Sequence, residues 1–132
     1  MAGRTGGPAW LPKVAAVGGA AFFLLFGLWA MVDPTSFFEQ LAKFDPYNQH
    51  FVQDIGAFQV GLGAVLLLAY LRRGGDVLGV ALLGVGIGAA AHVVSHLVGR
   101  DLGGKPETDI PVFAITTAIL LAGGFMRFRP PR

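Results

Sequence analysis

His92 and His96 stand four residues apart near the end of an apolar run, Val77–Val98, that is long enough to cross a bilayer. Ionisable side chains are costly inside a membrane, so a pair of them there marks a candidate functional site. The chain's third histidine, His50, precedes Asp54 by four residues, just ahead of another apolar run. Spacing of i, i+4 puts each pair on one face of a helix. Three imidazoles and a carboxylate are suitable ligands for zinc, copper or iron. The same spacing carries the two histidines of the zinc motif HExxH, but no glutamate base accompanies this pair, so a zinc-protease reading fails. The alternative is a polar network without metal, such as Asp54 with His92. Such a network could hold a quinone or lipid headgroup or relay protons.

These side chains must be positioned by helices that cross a membrane. Of the 132 residues, 54% are hydrophobic and 14% charged, against about 25% charged in soluble domains. Four apolar segments, 11–32, 55–71, 77–98 and 110–126, approach or exceed the roughly 17–25 residues that a spanning helix needs. The second is read as a helix from about residue 50, which places His50 and Asp54 on it. The fold class predicted is all-α: a polytopic membrane protein with four transmembrane helices in an antiparallel bundle. One domain, 1–132, accounts for the whole chain. The first span is read as a retained anchor, because its apolar stretch after Lys13 runs 19 residues, longer than a signal-peptide core of about 7–15. Residues 1–8 are Gly-rich and read as disordered. Cysteine is absent, which removes disulfides and thiolate ligands.

Two Asp-Pro pairs punctuate the segment between the first two spans. Each offers an N-cap carboxylate before a proline at the first helical position. Asp33-Pro34 predicts a short helix over 34–44, with an apolar stripe of Phe37, Phe38, Leu41 and Phe44. That stripe suits either a helix lying in the membrane interface or a cap packed over the bundle. Asp45-Pro46 predicts the start of the second span, and Thr108 or Asp109, ahead of Pro111, caps the fourth. Gly84, Gly88, His92 and His96 share one i, i+4 row, which predicts a close helix–helix contact along it.

Lysines and arginines set the predicted topology. Arg4, Lys13, Arg72, Arg73, Arg127, Arg129 and Arg132 fall on one side, against Lys43, Arg100 and Lys105 on the other. The positive-inside rule then puts both termini in the cytoplasm and the segments 33–53 and 99–109 outside. Scattered in this way, the basic residues give no nucleic-acid surface. With a rise of about 1.5 Å per residue, His92 and His96 fall roughly 22 and 28 Å across a core of about 30 Å. His50 and Asp54 reach the same outer layer from the second span, so all four are predicted to meet. Gln59 lies about 7 Å below Asp54, and Thr116 about 9 Å below the start of the last span. They could pair, or form a polar floor under a bound cofactor, for which Gln59 is the candidate.

The four spans, the Phe- and Gly-rich first helix and the run His50-Phe-Val-Gln-Asp54-Ile-Gly-Ala-Phe-Gln59-Val-Gly-Leu-Gly63 resemble the small four-helix DoxX-like bacterial membrane proteins. The likeness covers nearly the whole chain in architecture. It implies a bacterial inner-membrane protein, and for some members a place as a small subunit of quinone-linked oxidoreductases. The histidine pair is no feature of that family pattern. Together these readings predict a small membrane protein with an outward-facing site of His50, Asp54, His92 and His96. The site would hold one transition-metal ion (zinc, copper or iron), and the protein would act as an accessory subunit in redox or metal handling. The rivals are a lipid- or quinone-headgroup binder without metal and a purely structural subunit of a larger complex. Expected partners are the lipid bilayer and either a larger membrane protein or a second copy. Enzymatic activity of its own has no support in the sequence, because no nucleophile–base pair or cofactor fingerprint is visible. Four short spans also leave little room for an alternating-access core.

Overall fold

Helices account for most of the described residues, as the four apolar runs demand. A computed structural model describes residues 9–72 and 76–128. The Gly-rich segment 1–8, and Arg4, Arg73, Arg129 and Arg132 of the charge pattern, lie outside the described residues. The elements are α1 (Leu11–Val32), α2 (Pro34–Phe37, continued by a π-helical turn, Phe38–Ala42), α3 (Gln49–Leu71), α4 (Val77–Val98) and α5 (Pro106–Arg127). The chain is therefore all-α, and α1, α3, α4 and α5 are each long and apolar enough to cross a membrane.

Glycines set the register of this bundle. A Cβ at Gly27 would lie 2.8 Å from Gly56 O and from Val60 N, and one at Gly56 would lie 2.7 Å from Gly27 O. Farther along, Gly63 lies against Leu24 and Ala20. Rising numbers on α3 thus meet falling numbers on α1, which makes the pair antiparallel. The pair α4–α5 is built alike, with Gly79 against Phe128, and Gly86 against Leu121. Gly19 and Gly123 join α1 to α5. The bundle is two tight antiparallel pairs joined along α1 and α5, and α3 touches α4 only sparsely. Without hydrophobic driving force between helices in lipid, such close approach supplies the attraction. At the centre Leu66, Leu82 and Leu120 are fully buried beside Phe23 and Val85.

The sequence row Gly84–Gly88 makes no such contact: nothing lies within 4 Å of a Cβ at either position. The face of α4 that meets its neighbours carries Gly79, Leu82 and Gly86 instead, on nearly the opposite side of the helix. Gly88→Leu should therefore be tolerated. A sharper comparison lies on α3, where Gly61 is open and Gly63 faces the α1 backbone. Gly61→Ala is expected to stabilise by about 0.5–1 kcal/mol through helix propensity, and Gly63→Ala to destabilise by about 1–3 kcal/mol through overpacking. Thermal unfolding in detergent followed by circular dichroism checks both; equal shifts would contradict the register.

The short helix and its flanks close one end of the bundle. Asp33 caps α2, its Oδ1 accepting from Ser36 N at 3.1 Å. The helix is shorter than the predicted 34–44. It widens into the π turn and stops at Lys43, whose φ of 43° is left-handed. Phe37 is buried with Ala30 and Val52, and Phe38, Leu41 and Phe44 pack around them. Of the two expectations for this stripe, the cap over the bundle is the one observed. The start of α3 also differs. Asn48, not Asp45, caps it, accepting from Phe51 N at 3.0 Å.

Candidate functional site

Beneath this cap lies a cavity of about 560 Å³. All of the helices contribute to its wall: Phe22 and Phe26 from α1, Phe37 from α2, Phe51, Ile55 and Gln59 from α3, His92, Ser95 and His96 from α4, Asp109 and Phe113 from α5. Helix periodicity explains the choice. Phe51, Ile55 and Gln59 form one i, i+4 row, and His92 and His96 another. Both rows line the cavity, and the α3 and α4 helices that carry them touch only sparsely. Phe51 is half exposed, and His92 and Ser95 are exposed, so the wall is open along the seam between them.

The histidines form one unit. Their Nε2 atoms are 3.2 Å apart, a distance at which one ring donates its N–H to the other. Phe113 braces both, with ring centroids 4.6 Å from His92 and 5.0 Å from His96. Phe22 in turn meets Phe113 edge-on at 6.4 Å. Aromatic contacts continue through Phe26, Trp29 and Phe37 to the cap.

Asp109 completes the polar end. Helix α5 begins at Pro106, ahead of the predicted start, with Lys105 as N-cap. The Asp109 carboxylate reaches back to accept from Lys105 N at 2.7 Å, and Thr108 Oγ1 lies 3.4 Å from its other oxygen. It therefore caps its helix and also lines the cavity, within electrostatic reach of His92. The sequence offered it only as a cap.

A roof covers the cavity at the bundle end. Lys105 Nζ donates to Gln40 O at 3.1 Å, and Gly104 N to Lys43 O at 3.4 Å. These bonds lace the α4–α5 connection to the end of the π turn. Gly104 has a φ of +76°, and a Cβ there would lie 2.8 Å from the Asp109 carboxylate, so the connection passes close over the polar end.

The four residues expected to act together form two separate pairs. His50 Nε2 lies 3.4 Å from Asp54 Oδ2, with side chains 86% and 54% exposed. Neither lines the cavity. Depth alone suggested a meeting, but the row 50–54 is turned about 100° from the cavity row 51–55–59. Among the described residues, no three His, Cys, Asp or Glu side chains are grouped so as to hold a metal. Gln59 does line the cavity, and its Oε1 is buried without a hydrogen-bond partner among the described residues. It is not paired with Thr116, which donates to Val112 O within its own helix at 2.9 Å. Thr117 Oγ1 is likewise buried without a partner. Comparison with protein-family models, with curated proteins and with solved structures gave no match.

Proposed function

We propose that this chain is a small multi-pass membrane protein that holds the head of a membrane-borne amphiphile, of lipid or quinone type, in the cavity under its cap. One observation carries this reading: a cavity walled by phenylalanines with polar groups gathered at one end, roofed by the cap and open along a helix seam. Ligand sites are mostly apolar with a few convergent polar groups. An open seam between helices lets an acyl or isoprenoid tail stay in lipid while the head turns inward. The seven-to-three split of basic residues supports cytoplasmic termini, which would put the cavity in the outer leaflet of the plasma membrane. The likeness of the run 50–63 to DoxX-like proteins supports a bacterial inner membrane and keeps a quinone among the candidates. The test is extraction of purified protein followed by mass spectrometry. About one amphiphile per chain is expected in wild type and much less in His96→Phe, whose larger apolar ring displaces the polar end. Wild type free of any bound amphiphile would reject the reading.

The imidazole spacing favours a second reading. Two nitrogens about 2.0–2.1 Å from one tetrahedral ion are about 3.3 Å apart, close to the 3.2 Å between His92 and His96. A transition-metal ion on this pair would need water or a bound ligand for its other positions. Metal analysis decides it. About one ion per chain, lost in His92→Ala and released on acidification because imidazole binds metal only when neutral, would support the metal; metal-free folded protein would reject it.

A further inference from the structure

We infer that the head held in the cavity is an ammonium, carried by a lipid headgroup or by a free lipophilic amine; this rests on the amphiphile reading above. The charges of the wall carry the argument. Among the described residues, neither lysine nor arginine lines the cavity, and its one carboxylate is Asp109. Lys105, the nearest cation in sequence, has its Nζ engaged by Gln40 O in the roof. A phosphate, sulfate or carboxylate head would face Asp109 with no lysine or arginine in the wall to compensate, and like charges repel strongly where water is scarce.

An ammonium meets the opposite situation. Asp109 supplies a counter-charge already held in place by the Lys105 backbone N–H. Phe22, Phe44, Phe51 and Phe113 line the same cavity. Aromatic faces attract cations through the ring quadrupole, and cages of rings are the recurrent solution for quaternary ammonium groups. The histidine pair fits the same end, because its two nitrogens already face each other. One N–H is spent inside the pair, and the accepting ring carries its remaining N–H on Nδ1, so both rings can still turn a face to the ligand. A neutral head would be tolerated by the rings but would gain nothing from the carboxylate.

The experiment uses the full chain in nanodiscs and three probes of equal chain length: hexyltrimethylammonium, its neutral tert-butyl isostere and hexyl phosphate. Binding is followed by calorimetry. The ammonium is expected to bind at least tenfold tighter than the isostere, and the phosphate weakest. Asp109→Asn keeps an acceptor for the Lys105 N–H and should reduce the ammonium to the affinity of the isostere. Phe113→Leu, which leaves the cap untouched, should weaken the ammonium several-fold and the isostere less, so the inference stays open to refutation if the Asp109 variant fails to fold. Equal binding of ammonium and isostere, or tighter phosphate, would overturn the inference while leaving the amphiphile reading standing. No binding of any probe by wild type would overturn both. Discs of phosphatidylcholine and of phosphatidylglycerol, compared in high salt that screens the anionic lipid's attraction for the cationic probe, separate the sources. Weaker probe binding in the choline lipid identifies the headgroup as occupant, and equal binding in the two identifies a free amine; each supports the ammonium.

Discussion

Gly27→Leu is expected to destabilise the folded bundle strongly. The clash begins at the Cβ, which would lie 2.8 Å from Gly56 O and Val60 N and 3.0 Å from the Cβ of Gln59. The first two are backbone atoms, so no rotamer change relieves the contact. Helices α1 and α3 must separate, and they are the most extensively packed pair in the molecule. Separation opens the neighbouring cluster of Ala30, Phe37 and Val52, which anchors the cap. Overpacking typically costs about 1–3 kcal/mol and occasionally more. Here the backbone leaves no cheap adjustment, so the upper end or beyond is expected. At about 4 °C per kcal/mol for a chain of this size, the midpoint of thermal unfolding should fall by roughly 10 °C or more. Gly18→Leu is the control, since nothing lies within 4 Å of a Cβ at Gly18. Equal melting of the two variants would refute the α1–α3 contact.

Ser95→Trp should empty the cavity without unfolding the protein. Ser95 is exposed, lines the wall between the two histidines and packs against no part of the central core. An indole there fills the space beside the imidazoles and blocks the seam. Amphiphile recovered with the purified protein should drop at least tenfold, a loss of about 1.4 kcal/mol or more. The melting temperature should change little. Val98→Trp adds the same ring on a residue that is 85% exposed and does not line the cavity, and it should leave the recovered amphiphile unchanged. Full retention by Ser95→Trp would move the binding site elsewhere.

The long helices were legible in the sequence because a spanning helix must satisfy its backbone internally and keep an apolar surface over its whole length. All four predicted spans end within a residue of α1, α3, α4 and α5, and three also begin within a residue; α5 begins four residues ahead of the predicted 110, where Lys105 and Asp109 close a cap that a search for apolar residues does not register. Two Asp-Pro pairs gave identical signals, and only Asp33 caps a helix; Asn48 won the second contest with a three-residue reach to Phe51 N. The histidine pair was legible as a pair, since both members share one helix. Its neighbours were not. Heights along helices can be counted from a sequence, but rotation about their axes cannot, and rotation turned Phe51 and Gln59 inward and His50 and Asp54 outward. The cavity could not be read either, because its phenylalanines come from four separate helices and meet only in the fold.

The roofed end and the open α3–α4 seam together fix how occupancy should respond to surroundings. On the proposed membrane orientation, water meets the laced connection between Lys105 and Gln40, whereas lipid meets the side where α3 and α4 touch sparsely. A ligand entering along the seam is drawn from a two-dimensional reservoir, so its mole fraction in the bilayer governs binding. Diluting the aqueous phase a hundredfold at constant lipid would leave the site as full as before, and adding empty lipid would drain it.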